Sequence, residues 1–272
     1  MKKVFSLGIA LLGGLCLLSG CVLQKPLITQ PSTLQTTETS TPETTTSPIS
    51  IAQTEESTEA PTDPEHSVLY LPWVSTEDII LYFNEVCLNA EMVNAGDPTK
   101  LQKWATPIRY ICIGSYTDTD KKTLDTFADW LNTVEGFPGM EETQDYALAN
   151  MRIYFCEPED YLTTMGDQFA GTDGGVTFWY NDNNEIFDAM IGYRTDLDQE
   201  IRNSVILEEI YNGLGPINDT QLRTTSVIYS EFSTPQSLSQ IDEVIMKLLY
   251  HPKMQCGMDT SACEAVIRQL YY

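Results

Sequence analysis

Histidine and positive charge are both scarce in this 272-residue sequence. It contains 2 histidines, and its 15 lysine and arginine residues face 39 aspartate and glutamate residues, which gives a formal net charge of −24 at pH 7. Binding to DNA or RNA needs a basic surface that neutralises phosphates, so this charge excludes a nucleic-acid partner. A zinc site built on three imidazoles is excluded as well, because only His66 and His251 could contribute one.

The first 20 residues have the pattern of a targeting segment. Lys2 and Lys3 give a positive start, and residues 5–18 form an apolar run that is too short to cross a bilayer as a mature helix. The run ends in Leu-Ser-Gly-Cys at 18–21, which resembles the bacterial lipobox. This resemblance implies that Cys21 carries lipid, palmitate for example, and anchors the protein to the extracytoplasmic face of the cell membrane. A plain secretory signal with a chance cysteine is the alternative.

Residues 21–66 join the targeting segment to the rest of the chain. After Cys21, 12 threonines, 5 serines and 6 prolines make up 23 of 45 residues, and seven acids face the single lysine Lys25. Such a stretch cannot bury enough apolar surface to offset its chain entropy, so we expect a disordered tether. As a flexible coil it would span roughly 35–40 Å and hold the following domain away from a membrane.

Residues 67–272 show the apolar periodicity of one folded domain with a net charge of −20. The patterns predict helices over 76–92, 119–134 and 198–213. They also predict strands over 108–114 and 152–156 and a hairpin of 176–181 with 186–193. Two final helices are expected to begin with capping boxes, Ser239 with Asp242 and Ser261 with Glu264. Asp118 and Asp120 are expected at a helix start, beside a favourable dipole. Strands before helices favour an α+β fold, with one small mixed sheet packed with helices and followed by C-terminal helices.

The predicted helix around residue 208 carries two adjacent carboxylates on an apolar background. Apolar residues between Val205 and Leu214 surround this helix on nearly all sides, so it should lie inside the domain. A buried carboxylate without a partner is costly, and two neighbours cannot both ionise cheaply in a dry site. Glu208 and Glu209 therefore indicate a cleft, a bound cation or a buried basic partner. Alternatively, they point to opposite edges of the helix and reach solvent or an arginine.

Residues 208–215 resemble a catalytic helix whose metal ligands have been replaced. They read Glu-Glu-Ile-Tyr-Asn-Gly-Leu-Gly, which is similar to the zincin motif H-E-x-x-H-x-x-G without its two histidines. In this resemblance Glu208 and Asn212 hold the positions of zinc ligands. Glu209 holds the position of the general base, and Gly215 that of the glycine at which the chain turns.

The resemblance extends downstream of the helix. Asn218 falls where metzincins carry a third ligand, residues 226–229 are similar to a Met-turn without its methionine, and 238–250 are similar to the metzincin C-terminal helix. The string is closer still to a bacterial family with many lipoproteins, domain of unknown function 2927. That family shares E-E-x-x-Q-x-L-G, then N-D, S-I-F and L-L-Y, and a P-x-x-x-x-G-M segment, here 252–258; Asn212 replaces the usual Gln. The family implies a fold rather than a reaction.

These resemblances favour a degenerate zincin-like domain that binds rather than cuts. A zincin lowers the pKa of its bound water from about 16 to about 7 through its metal, which Glu209 alone cannot do. We therefore expect no cofactor and no catalytic residue, although Glu209 would be the base of an active enzyme. The expected binding cleft comprises Glu208, Glu209, Asn212, Asn218 and Asp219, and an edge strand of the 176–193 hairpin would bind a peptide or protein partner. The alternative is a metal-dependent hydrolase with an oxygen-only Ca²⁺ or Mg²⁺ site at Glu208 and Glu209.

Five cysteines follow Cys21 in the sequence. Cys256 and Cys263 are close enough along the chain for a disulfide in an extracytoplasmic setting. The other three lie on apolar faces and are expected to be buried hydrophobic residues: Cys87, Cys112 and Cys156. The odd number leaves at least one thiol unpaired within a monomer.

Overall fold

The computed structural model of the protein describes residues 67–88 and 100–272. The predicted targeting segment, Cys21, the tether and the predicted helical residues 89–92 lie outside these ranges. Within them, no helix is long and apolar enough to span a membrane. The helices are α1 Thr76–Leu88, α2 Asp118–Leu131, α3 Pro158–Met165, α4 Gln199–Gly213, α5 Gln240–Tyr250 and α6 Thr260–Leu270, and a 3₁₀ helix covers Asp167–Phe169.

One mixed sheet of six strands holds the domain together. The strands are β1 Lys103–Trp104, β2 Ile108–Gly114, β3 Met140–Glu142, β4 Met151–Cys156, β5 Gly174–Tyr180 and β6 Glu185–Arg194. β3, β2, β4 and β6 lie side by side and run parallel, and β1 pairs in parallel with the first two residues of β6. β5 runs antiparallel to β6, with Val176 opposite Ile191. The predicted α+β class and the predicted hairpin are therefore confirmed.

Helices cover both faces of the sheet. α2 and α4 pack on each other, and α4 packs on β5 and β6. On the opposite face, a Cβ added to Gly192 of β6 would lie 2.4 Å from the Met165 sulfur, and one added to Gly175 of β5 would lie 2.2 Å from the Phe169 ring. The two glycines thus allow α3 and the 3₁₀ helix to approach the sheet closely. β5 is therefore covered by α4 on one face and by the 3₁₀ helix on the other.

The last two helices begin in different ways. α5 begins with the predicted capping box, in which the Ser239 hydroxyl accepts the Asp242 N–H and the Asp242 carboxylate accepts the Ser239 N–H. The box predicted at Ser261 is wrong, because Asp259 caps α6 and its carboxylate accepts the Ala262 N–H at 3.0 Å. Two residues with capping side chains lie close together here, and the helix begins at the earlier one.

The five cysteines of the described ranges are free thiols, so the structure contains no disulfide between Cys256 and Cys263. Cys263 is buried in the main core, whereas Cys256 is half-buried and its sulfur donates to the Lys103 carbonyl at 3.6 Å. Burial raises the pKa of the Cys263 thiol to about 12. Cys87 and Cys156 are buried as predicted, and Cys112 is half-buried.

Candidate functional site

Helix α4 runs through the interior of the domain. Every residue from Ser204 to Gly213 is buried, and the side chains of Glu208 and Glu209 are each 2% exposed. The burial predicted for this helix is thus confirmed, and two adjacent carboxylates do lie inside the fold. Asn212, one turn further on, is also buried, and its Oδ1 accepts no hydrogen bond from the described part of the chain.

Glu209 faces the sheet at the beginning of β5. A Cβ added to Gly174 would lie 2.9 Å from Oε1 of Glu209 and 2.4 Å from the Val205 side chain. One turn further along the helix, a Cβ added to Gly213 would lie 3.4 Å from the Val176 side chain. Residues 205, 209 and 213 therefore form the stripe of α4 that packs on β5, as their spacing of four requires.

A tyrosine lies within electrostatic range of the Glu209 carboxylate. The hydroxyl groups of Tyr161 and Thr172 are 3.0 Å apart and share a hydrogen bond. Burial raises the pKa of Tyr161, the hydrogen bond with Thr172 lowers it, and the Glu209 and Asp173 carboxylates raise it further. The phenol of Tyr161 is therefore protonated at neutral pH and acts as a hydrogen-bonding group.

The chain turns sharply after α4. Gly215 has φ of 133°, and a Cβ there would lie 2.7 Å from the Gln102 carbonyl oxygen, so this position requires glycine. The Trp104 indole N–H donates to the Gly213 carbonyl at 2.9 Å, and the Tyr250 hydroxyl donates to the Leu214 carbonyl at 2.7 Å. These two bonds satisfy carbonyls at the helix end. Gly215 thus forms the turn that follows α4.

Asn218 follows this turn and is bound to helix α1. Its side-chain amide donates to the Glu85 carbonyl at 2.9 Å, and its backbone N–H donates to the Val86 carbonyl at 3.2 Å. The predicted cleft residues therefore have two different neighbourhoods, since Glu209 faces β5 while Asn218 lies on α1. Within residues 67–88 and 100–272, no three His, Cys, Asp or Glu side chains are grouped closely enough to hold a metal ion.

A buried carboxylate on α5 holds the turn over residues 226–229. Asp242 is 0% exposed and accepts hydrogen bonds from the Ser226 hydroxyl at 2.6 Å and the Val227 N–H at 3.1 Å, in addition to those from Ser239. Burial raises the pKa of Asp242, although each of these hydrogen bonds lowers it. The 226–229 turn is therefore fixed to the first turn of α5.

Two tyrosines connect this network to the helices around it. The Tyr82 hydroxyl on α1 donates to the Ser226 oxygen at 2.9 Å, and the Tyr211 hydroxyl on α4 donates to the Asp242 backbone carbonyl at 3.0 Å. Burial raises the pKa of both phenols, and the Asp242 charge raises it further. α1, α4, α5 and the 226–229 turn are thus joined by one set of buried hydrogen bonds.

The backbone of β5 has one hydrogen-bonding side that points away from β6. At the end of β6, the Arg194 N–H donates to the carbonyl of Asp173, the residue before β5, and the Ala189 N–H of β6 donates to the carbonyl of Asn150, the residue before β4. The backbone groups of even-numbered residues of β6 therefore bond towards β5, and those of odd-numbered residues bond towards β4. In this register the odd residues of β5 bond to β6. Gly174, Val176 and Phe178, which are all buried residues, direct their N–H and C=O groups away from β6, here called outward. No strand or backbone group in the described ranges pairs with these groups.

A family model described as "Protein of unknown function (DUF2927)" matches residues 76–269. The chain belongs to this family. The match runs from the first residue of α1 to the residue before the end of α6. In this DUF2927 protein it therefore covers the sheet, the five predicted cleft residues and the buried hydrogen bonds around Asp242. No curated protein matches the chain.

The main feature of this DUF2927 domain that the sequence did not reveal is a buried ion pair beside α4. Arg202 of α4 donates to the Asp120 carboxylate of α2, and both side chains are almost fully buried. Arg202 also donates to the Thr195 carbonyl at 3.0 Å, and the Gln199 amide donates to Asp120 at 2.7 Å. An arginine within an apolar helix indicates a buried acidic partner, but that partner is 82 residues away in the sequence and could not be identified from it.

Proposed function

We propose that this protein is a lipid-anchored surface protein whose zincin-like domain, lacking histidine ligands, binds an extended segment of a peptide or protein partner without catalysis. The observation that carries the proposal is the outward side of β5. Three consecutive outward residues, Gly174, Val176 and Phe178, lie on the strand that packs directly against α4. A partner segment would pair with them as an added strand.

Several features support the zincin likeness. A buried helix with the Glu-Glu-x-x-Asn sequence ends at Gly213, and the chain turns at Gly215. A second turn lies at 226–229, and helix α5 supports it. The antiparallel strand β5 lies alongside the helix, where a zincin keeps the edge of its cleft. Glu208 and Asn212 stand at the motif positions of the two metal-binding histidines. The proposed domain therefore keeps the cleft of a zincin but not its metal chemistry.

Charge limits the partners that suit this strand. Residues 67–272 carry a net charge of −20, which repels acidic segments and favours neutral or basic ones. The six outward backbone groups would each contribute about 0.5–1.5 kcal/mol net when paired. Such bonds are independent of sequence, so selectivity would come from the partner side chains that face α4 or the 3₁₀ helix.

Peptide binding along β5 is tested by two adjacent proline substitutions. Val176→Pro removes an outward N–H, leaves the bonds to β6 intact and changes a buried side chain, so the domain should fold with a loss of about 2–3 kcal/mol. Thr177→Pro removes a bond to β6 and should cost about 3 kcal/mol or more. Octapeptides selected from a random displayed library on the wild-type protein should bind Val176→Pro at least tenfold more weakly by fluorescence polarisation.

A Val176→Ala variant controls for the lost side chain and should keep most of the peptide affinity. Methylating alternate backbone nitrogens of a selected peptide should abolish binding in one register and not in the other. Peptides that bind wild type and Val176→Pro equally well would exclude strand addition at β5, and a library that yields no peptide specific to the wild-type protein would exclude the proposed function.

The lipid anchor is tested in cells by a second pair of variants. Cys21→Ser should move the protein from the membrane fraction to the soluble fraction and abolish incorporation of labelled palmitate, because each buried CH₂ of an acyl chain contributes about 0.8 kcal/mol to membrane binding. Cys16→Ser, five residues earlier within the same apolar run, should change neither result. Unaltered labelling of the Cys21→Ser protein would contradict the proposed anchor.

A further inference from the structure

A groove of about 550 Å³ lies along helix α2, separate from the outward side of β5. One wall is a continuous face of α2 with spacings of three and four residues, and it is formed by Thr119, Lys122, Thr123, Thr126, Phe127 and Trp130. The segment that leads into α5 contributes Gln236, Ser237 and Leu238 to the lining. The volume lies within the range of ordinary small-molecule sites, about 300–1,000 Å³.

Apolar side chains line the bottom of this α2 groove. Phe127 and Leu207 are buried in the core, and Trp130 and Leu238 are half-buried beside them. The Phe127 and Trp130 rings are stacked with their centroids 6.2 Å apart, which holds both in place. An apolar group in the groove would therefore contact fixed apolar surface.

Asn203 gives the groove an ordered polar rim. Its side-chain oxygen accepts from the Gln199 amide at 2.9 Å and from the Thr123 hydroxyl at 3.3 Å. Its side-chain amide donates to the Gln236 oxygen at 3.0 Å. This chain of bonds joins α2, α4 and the segment before α5, so the walls of the groove are already positioned in the absence of a ligand.

Two charged side chains line the groove, and one of them is already neutralised. Glu243 pairs with Lys247 at 3.0 Å, and the Lys247 ammonium lies 5.9 Å from the centre of the Trp130 ring. Lys122 is exposed and forms no salt bridge with a carboxylate of the described ranges. In a domain of net charge −20, the groove therefore combines an apolar floor with one available positive charge.

We propose that the α2 groove binds a small amphipathic anion, with its apolar body on the Phe127–Leu207 floor and its single negative charge at Lys122. Multiply charged ligands are disfavoured, because one ammonium group would face them within a strongly acidic domain. Uncharged apolar ligands would use the floor but gain nothing from Lys122. This site depends neither on β5 nor on the proposed peptide function.

Dodecanoate and dodecanol are suitable probes because they share one chain and differ in charge. Titrated into the full-length protein in a calorimeter, dodecanoate should bind at one saturable site with a micromolar dissociation constant, and dodecanol should bind several-fold more weakly. Thr126→Trp places a large ring in the groove from an exposed position and should weaken both ligands at least tenfold. Lys122→Gln should remove the difference between them.

The neighbouring lysine provides a matched control. Lys121 pairs with Asp125 and Glu142 and does not line the groove, so Lys121→Gln should leave dodecanoate binding unchanged. Equal weakening by Lys121→Gln and Lys122→Gln would show a general charge effect and overturn the assignment. Dodecanoate binding that survives Thr126→Trp, or no saturable binding below the micelle concentration, would overturn it as well.

Discussion

Arg202→Met should lower the free energy of unfolding by about 3–5 kcal/mol. The substitution leaves the Asp120 carboxylate in a position that is 0% exposed, without the guanidinium that binds it. It also removes the hydrogen bond to the Thr195 carbonyl. The loss should appear as a lower urea midpoint in circular dichroism, with an unchanged slope.

The double variant Asp120→Leu/Arg202→Met separates the loss of the ion-pair attraction from the cost of an unpaired buried carboxylate. Replacing both ions with apolar groups removes the uncompensated carboxylate, so the double variant should be more stable than Arg202→Met alone. Some loss should remain, because Asp120 also accepts the Thr117 N–H in the capping box of α2. A double variant as unstable as the single one would show that the buried charge is not the cause.

Asp242→Ala should be comparably damaging, with a loss of about 3–4 kcal/mol in the free energy of unfolding. It leaves the Ser226 hydroxyl and the Val227 N–H without their buried acceptor and removes the half of the α5 capping box in which the Asp242 carboxylate accepts the Ser239 N–H. Asp242→Asn should cost less, about 1–2 kcal/mol, because its oxygen can still accept from Val227 and Ser239. Urea unfolding of each variant measures the difference.

Glu243 provides the control for this prediction. It lies in the same first turn of α5, but its side chain is partly exposed and pairs with Lys247. Glu243→Ala should change the unfolding free energy by less than about 1 kcal/mol. If Asp242→Ala were no more harmful than Glu243→Ala, the 226–229 turn would not depend on the buried carboxylate.

Most long elements with a clear apolar period could be predicted from the sequence to within one or two residues, although the helix predicted over 119–134 ends three residues earlier, at Leu131. The strand predicted over 108–114 is β2 without change, and the helix predicted over 198–213 is α4 from residue 199. Both contain enough repeats for the period to be read. β1, β3 and α3 were not predicted, because two, three and eight residues are too few for a period.

Residues whose role depends on distant partners were predicted only locally. The sequence indicated that Asp120 lies at a helix start, which is correct, but its burial against Arg202 depends on how α2 packs on α4. Likewise, Asp242 was predicted as half of a capping box. Its hydrogen bonds from the Ser226 hydroxyl and the Val227 N–H require a turn that the sequence pattern does not define. The burial of α4 was predictable because residues 205–214 are apolar on nearly all sides, whereas the burial of Glu208 and Glu209 was one of two alternatives that the sequence left open.

The outward side of β5 also bears on solubility. Residues 174–180 read Gly-Gly-Val-Thr-Phe-Trp-Tyr, a strand without a single charge. Two such strands from separate copies could pair edge to edge, which is a common route to aggregation. The net charge of −20 on residues 67–272 opposes that encounter, since like-charged copies repel each other at separations of about a Debye length. The acidity of residues 67–272 thus also keeps copies of the domain apart from one another.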